Sequence, residues 1–110
     1  MHKIQNITAE PFQEHTLILA DGEAVIELRF LPAVEIWTLG VTYKDKERAG
    51  QKLSANVYHL RPYNFPFDFT VVVNDGSGLD PFRADDFATG RCELYFITPE
   101  EMRQVRGQEQ

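Results

Sequence analysis

Short runs in which apolar and polar residues alternate are the feature of this sequence that most restricts its fold. Ile26, Leu28 and Phe30 alternate with Glu27 and Arg29. Because successive side chains of a β-strand point to opposite faces of the sheet, this period predicts a strand with one buried face. Further strands are predicted at residues 16–19, 37–43, 53–57, 67–73 and 92–96. We therefore expect a mainly β fold, a small antiparallel β-sandwich or barrel of six to seven strands with one or two short helices.

Turn signals between these runs indicate which strands are neighbours. Asp21 and Gly22 lie between two apolar runs, and both residue types favour the positive φ of a two-residue hairpin loop. Residues 44–51 are polar and contain Gly50, so they predict a longer hairpin loop. Strands that are joined by hairpin loops pair antiparallel.

Two short helical segments are predicted in the second half of the chain. Residues 83–88 follow Pro81 and predict a single helical turn. Thr98 and Glu101 have the spacing of a capping box, in which each of the two side chains accepts a hydrogen bond from a backbone N–H at the start of the helix. Gly107 marks the expected end of this second helix.

Composition and charge exclude several classes of function. The chain has 110 residues, 43% hydrophobic and 25% charged, which predicts one domain over residues 1–110. Its formal net charge is −6, whereas duplex nucleic acid is bound through clustered Lys and Arg, so direct nucleic-acid recognition is not expected. The sequence lacks a signal-peptide core and an apolar run of about 20 residues, so we expect cytoplasmic synthesis and no membrane insertion. Cys92, the one cysteine, is expected to be a buried small hydrophobe.

A cluster of oxygen-bearing side chains raises the question of a calcium site. Its members are Asp75, Ser77, Asp80, Asp85 and Asp86. Ca²⁺ takes about six to eight oxygen ligands, but this spacing lacks the Asp-x-Asp-x-Asp-Gly order and the terminal Glu of an EF-hand loop. We favour roles in turns and helix caps, and Ca²⁺ binding is the alternative.

No residue pattern typical of an active site is found in the sequence. The three histidines, His2, His15 and His59, lack metal-ligand spacing, and His59 is expected to be a hydrogen-bonded histidine of a sheet. Residues 75–78 contain two glycines but lack the lysine and the following helix of a phosphate-binding loop. We predict that the protein is not an enzyme and uses no metal or other cofactor.

Residues 61–66, Arg-Pro-Tyr-Asn-Phe-Pro, form a segment that we call the rigid loop. Proline fixes its own φ and restricts the residue before it, which keeps the backbone extended. Aromatic side chains on such a loop either cover an open end of the β fold or contact a partner as anchors. The sequence leaves both roles open, and they are compatible.

Several features in a fixed order carry a family resemblance. They are the Asp21-Gly22 hairpin, the Trp37 strand, the Leu60-Arg61 turn, and then Leu79-Asp80-Pro81, Asp86-Phe87, Gly90-Arg91 and Leu94-Tyr95-Phe96. Over roughly residues 4–97 the chain resembles the baseplate plug proteins of contractile-tailed phages, of the cyanophage type. The resemblance implies a non-enzymatic virion protein, made in the host cytoplasm, that helps to close the central channel of the tail. It also implies contact with hub, spike or tail tube proteins and, because the tail is symmetric, several copies in a ring.

Partner contacts are predicted on the rigid loop and on residues 75–86, which we call the acidic loop. The predicted contact residues are Arg61, Tyr63, Asn64, Phe65, Asp80, Phe82 and Asp86. The alternative function is a β-sandwich that binds a small ligand or a carbohydrate, with Trp37 or Tyr63 as the stacking platform.

Overall fold

The computed structural model describes residues 1–63 and 65–108, and the side chains of residue 62 and residues 105–108 are not part of that description. Within these residues the chain forms seven strands, a 3₁₀ turn and one α-helix. The strands are β1 (His2–Lys3), β2 (Phe12–Leu19), β3 (Gly22–Leu31), β4 (Ile36–Tyr43), β5 (Lys46–Lys52), β6 (Asp68–Val73) and β7 (Cys92–Ile97). The 3₁₀ turn is Arg61–Tyr63 and the helix is α1 (Pro99–Gln108).

The strands form two antiparallel sheets with the orders β2-β3-β4-β5 and β1-β7-β6. Ile26, Leu28 and Leu39 of the first sheet and Phe69 and Leu94 of the second are buried in one shared core. The mainly β prediction is confirmed. Over the described residues the two sheets form a sandwich and do not close into a barrel.

The first hairpin is confirmed, but its loop lies one residue earlier than expected. Leu19 pairs with Gly22, so the two loop residues are Ala20 and Asp21. Gly22 is the first residue of β3, and its φ of 145° lies in the region that favours glycine. Gly22 thus has the unusual backbone conformation, and it lies in β3 directly after the two loop residues.

The prediction of a long polar loop at residues 44–51 is wrong. Tyr43 pairs with Lys46, so a two-residue turn leads directly into β5. Lys44 in this turn has a φ of 54°. β5 was missed because it is an edge strand whose side chains are mostly exposed on both faces, so its sequence lacks alternation.

The strand predicted at residues 53–57 is also wrong. Residues 53–60 form an irregular segment, which we call the strap, along the outer edge of β6. Ala55 forms a single parallel bridge with Val71, and the backbone N–H groups of Asn56 and His59 donate to the carbonyl oxygens of Val71 and Phe69 at 2.9 and 3.2 Å. The strap thereby hydrogen-bonds the otherwise free edge of β6.

An aromatic cluster occupies one part of the core. Its centre is Phe67, which is fully buried. The centroid of its ring lies 5.1 Å from that of Tyr43, 5.8 Å from Phe65, 5.9 Å from Phe69 and 5.5 Å from Phe96. The contacts with Tyr43 and Phe69 are edge-to-face, a favoured geometry for aromatic pairs.

The predicted capping box of α1 is confirmed. The backbone N–H of Thr98 donates to Glu101 Oε1 at 2.9 Å, and the N–H of Glu101 donates to Thr98 Oγ1 at 3.2 Å. Gly107 does not end the helix, which is described to Gln108. The helical turn predicted at residues 83–88 falls in a series of turns over residues 84–90, in which the N–H of Asp86 donates to the carbonyl of Arg83 at 3.2 Å and the N–H of Thr89 donates to that of Asp85 at 2.9 Å.

Candidate partner-contact surface

Arg91 organises the acidic loop. Its Nε and Nη2 atoms each donate to one carboxylate oxygen of Asp86 at 2.8 Å. Nη2 also donates to the carbonyl of Asp80 at 3.1 Å, and Nη1 donates to the carbonyl of Leu79 and to Asp75 Oδ2, both at 3.3 Å. A guanidinium thus occupies the centre of the cluster that was considered for calcium. Among the described residues, no three His, Cys, Asp or Glu side chains are grouped in a way that could hold a metal ion.

Asp86 is the buried anion of this network, with 1% of its surface exposed. Its Oδ2 accepts hydrogen bonds from the backbone N–H groups of Phe82 and Arg83 at 2.7 and 2.9 Å. Burial acts to raise the pKa of this carboxyl, but the hydrogen bonds from Arg91 and the two N–H groups outweigh it and lower the pKa to about 2. The charged form of Asp86 therefore stabilises the loop.

We expect Asp86 to make stability depend on pH in the acid range. A carboxyl whose pKa falls from 3.8 to about 2 on folding contributes stability above the unfolded-state pKa, and this is lost as the pH falls through the folded-state pKa. The shift corresponds to about 2 kcal/mol. Urea unfolding of the wild type and of Asp86→Asn at pH 4, 3 and 2 measures this contribution. The variant is expected to be less stable at pH 4 and to lose about 2 kcal/mol less than the wild type between pH 4 and 2. Equal losses in the two proteins contradict the assignment.

Asp80 and Phe82 line the outer side of the acidic loop. Asp80 Oδ1 accepts the backbone N–H of Ala55 at 2.8 Å, and its Oδ2 lies 3.4 Å from Lys52 Nζ on β5. The ring of Phe82 contacts two guanidinium groups, those of Arg83 and Arg91, each 4.8 Å from its centroid. Asp80 thus contacts both the strap and β5.

A shallow groove of about 410 Å³ runs beside Asp80 and Phe82. Its other lining residues include Val34 and Leu79, and Val34 is 61% exposed. Exposed aliphatic side chains around a half-buried aromatic ring are typical of a protein-contact surface. Val34 and Leu79 could not be recognised as contact residues from the sequence, because isolated apolar residues outside strands and helices carry no periodic signal.

The rigid loop places its two described aromatic side chains in different environments. Tyr63 is half-buried, its ring centroid lies 4.0 Å from the Arg48 guanidinium, and its hydroxyl accepts a hydrogen bond from Arg48 Nη2 at 3.0 Å. Phe65 is only 2% exposed and belongs to the aromatic cluster. Arg61 is exposed, with its guanidinium 5.8 Å from the ring of Tyr58. Asn64 lies outside the described residues.

These contacts divide the predicted contact residues by accessibility. Asp86 and Phe65 are buried, so they can only support a contact made by other side chains. Arg61, Tyr63 and Phe82 keep accessible area. β5 borders both loops, because its Arg48 contacts Tyr63 and its Lys52 contacts Asp80. We call the accessible side chains of the two loops and their neighbours the contact surface: Arg61, Tyr63, Arg48, Lys52, Asp80, Phe82, Val34 and Leu79.

Two further predictions concern buried rings. His59 is hydrogen-bonded as expected, but it lies in the strap and not in a strand. Its Nε2 accepts the backbone N–H of Ser54 at 2.8 Å, so Nδ1 carries the proton and donates to the carbonyl of Phe69 at 2.9 Å. Trp37 as a carbohydrate-stacking platform is wrong. Its ring is fully buried, and its Nε1 donates to the carbonyl of Arg83 at 2.9 Å.

Comparison with known families decides among the remaining functions. Residues 1–100 match the family described as cyanophage baseplate Pam3 plug gp18. The chain belongs to this baseplate plug family. The protein is therefore a structural component of a phage tail baseplate, located in the virion tail and associated with other baseplate proteins.

Two further findings accompany the family match. A search of curated proteins found no match. In the part of the chain that the structure describes, no helix has both the length and the apolar character needed to cross a membrane.

Proposed function

We propose that this plug protein closes the central channel of the baseplate hub, as several copies in a ring around the tail axis. The observation that carries the proposal is the family match over residues 1–100. A closed ring lets identical subunits surround an axial channel with equivalent contacts. In this proposal residues 1–110 act as one domain, made in the host cytoplasm, that contacts hub, spike or tail tube proteins. The role requires neither catalysis nor a cofactor nor direct nucleic-acid recognition.

The contact surface is the proposed site of attachment to these partners. Its chemistry supports the proposal, because arginine and tyrosine are enriched among the residues that dominate binding energy at protein interfaces. Tyr63 and Arg48 form one stacked pair, and Phe82 with Arg83 forms another. Asp86 and Arg91 hold Phe82 in place, because Asp86 accepts its backbone N–H at 2.7 Å and the Arg91 guanidinium lies 4.8 Å from the centroid of its ring.

Co-expression tests the proposed role directly. The chain is produced together with the hub, spike and tail tube proteins encoded beside it, and complexes are separated by size-exclusion chromatography with light scattering. We expect a complex that contains several copies of this chain. If every component folds and no complex forms, the plug proposal is wrong.

Substitution of Tyr63 separates partner contact from structural capping. Tyr63→Ala removes a half-buried ring, so we expect a loss of stability of about 1 kcal/mol and at least a tenfold weaker complex, as for a residue that dominates an interface. Affinity is measured by biolayer interferometry on the purified complex components, and stability by thermal unfolding. Glu10→Ala, at an exposed position away from the contact surface, is the matched control and should bind as the wild type. A large fall in melting temperature with unchanged affinity assigns Tyr63 to capping alone.

A further inference from the structure

The edges of the two sheets are protected to different extents. β5 carries Lys46, Arg48 and Lys52 and has a register irregularity opposite Leu39 and Val41, features that discourage further strand pairing. The edge of β6 is bonded by the strap. β2 has neither protection: its eight residues contain no lysine, arginine or proline, and its ladder with β3 is continuous. Within the described residues, no strand pairs with its outer edge.

The ladder between β2 and β3 shows which backbone groups face outward. The N–H of Phe30 donates to the carbonyl of Pro11 at 2.8 Å, so this opposed pair is a hydrogen-bonded one. Hydrogen-bonded pairs alternate along an antiparallel ladder. The N–H and C=O groups of the even-numbered residues of β2 therefore point away from β3: Phe12, Glu14, Thr16 and Ile18. They form a row of free donors and acceptors on which another strand can pair.

A groove of mixed character lies beside the end of this free edge, at residues 17–19. It has a volume of about 910 Å³ and runs between β2 and the start of α1, with apolar Leu17, Leu19 and Phe96 on one side and polar Thr98 and Glu101 on the other. A strand added to β2 would direct alternate side chains inward, into this groove. Its other side chains would lie beside Ile18, which is 75% exposed, and Phe12, which is 47% exposed.

Charge selects the kind of strand that fits. Glu14 lies directly opposite Glu27 in the ladder, and like charges in this position repel. Arg29 Nε contacts Glu27 at 2.7 Å. A lysine or arginine opposite Glu14 on an added strand would offset this repulsion. A second copy of β2 cannot supply it, because the strand contains neither residue type.

We infer that the free edge of β2 binds an extended segment of another baseplate protein as a fifth strand of the sheet. This segment alternates apolar residues, which enter the groove, with outward residues that include a lysine or arginine opposite Glu14. The inference rests on the proposed assembly role, and it assigns to β2 a contact separate from the contact surface. Main-chain hydrogen bonds to the edge supply affinity, and the groove and Glu14 supply specificity.

The test uses overlapping twelve-residue peptides that cover the hub, spike and tail tube proteins encoded beside this chain. Binding to the intact chain is measured by fluorescence anisotropy. We expect a peptide with the alternating pattern and a basic outward residue to bind. Thr16→Pro removes one outward N–H while leaving the ladder with β3 intact, and it should weaken binding more than about tenfold. Thr16→Val, which keeps the N–H, is the matched control.

A charge exchange tests the specificity without a proline. Glu14→Lys should weaken binding about threefold, and changing the basic residue of the peptide to glutamate should restore it. Circular dichroism checks that each variant is folded. Wild-type binding by both folded variants overturns the inference while leaving the plug proposal intact, whereas failure of the plug proposal is seen only in co-expression. A dimer of the free chain that Thr16→Pro abolishes also overturns it, because the edge would then bind a second copy.

Discussion

Replacing Arg91 with alanine is expected to lower the free energy of unfolding by about 3–5 kcal/mol. The substitution leaves the buried carboxylate of Asp86 without its cation, and it removes the donor to the carbonyl oxygens of Leu79 and Asp80. An unpaired buried charge costs far more than the net contribution of the intact pair. Because the guanidinium bonds both Asp86 oxygens at once, Arg91→Lys should recover only part of the loss.

Chemical unfolding monitored by tryptophan fluorescence measures this effect, since Trp37 is bonded to the same loop through Arg83. In thermal unfolding followed by the same fluorescence signal, we expect the melting temperature of Arg91→Ala to fall by more than about 10 °C. The matched control is Lys3→Ala, which breaks the more exposed pair with Glu93 at 2.7 Å and should cost much less than Arg91→Ala. Replacing Asp86 and Arg91 together with apolar residues should cost less than Arg91→Ala alone. Similar losses for Lys3→Ala and Arg91→Ala contradict a dominant role for the buried pair.

Replacing Phe67 with alanine is expected to destabilise the protein by about 3–5 kcal/mol, the range for deletion of a buried aromatic ring. The ring is fully buried and contacts four other rings, so its removal leaves a cavity between the two sheets. Of those rings, Phe65 belongs to the rigid loop, and Tyr43 pairs with Lys46 of β5. We therefore expect the contact surface to lose order together with the core.

Thermal and urea unfolding measure the loss, and Phe67→Leu provides a graded variant that keeps much of the buried volume. The leucine variant should lose about half as much stability as the alanine variant. Phe12→Ala removes the same side chain from a position that is 47% exposed, and it should cost less than about 1 kcal/mol. A loss from Phe67→Ala no larger than that from Phe12→Ala would show that the aromatic cluster is not the main core.

β3 and β7 could be predicted from the sequence because their buried and less buried residues alternate. Ile26 and Leu28 of β3 and Leu94 of β7 are buried while the residues between them are not, so period two is visible in their sequences. β5 has no buried face, and its lysines and arginine gave no strand signal. Residues 53–57 of the strap were predicted as a strand because Leu53, Ala55 and Val57 alternate with other residues. The conformation of the strap is instead set by hydrogen bonds to β6, which depend on tertiary contacts.

The loops that carry the candidate site could be recognised from the sequence, but the contacts within them could not. The turn chemistry of Asp75 and the prolines of the rigid loop are local features, so they are visible in the sequence. The central position of Arg91 depends on how the acidic loop folds back on the start of β7, and no spacing rule encodes that path. The stacking of Arg48 on Tyr63 likewise joins residues that are neighbours only after β5 and the rigid loop have packed.

The pairing of β1 with β7 has a consequence for synthesis of the protein. It joins His2 to Phe96, and the amino group of Met1 contacts Glu101 on α1. The meander from β2 to β5 needs only neighbouring hairpins, whereas the three-stranded sheet requires β7, the partner of both β1 and β6. Contacts of such long sequence separation form late, because loop closure must precede them. The second sheet therefore cannot form until residue 97 has left the ribosome, whereas the meander from β2 to β5 can fold before that.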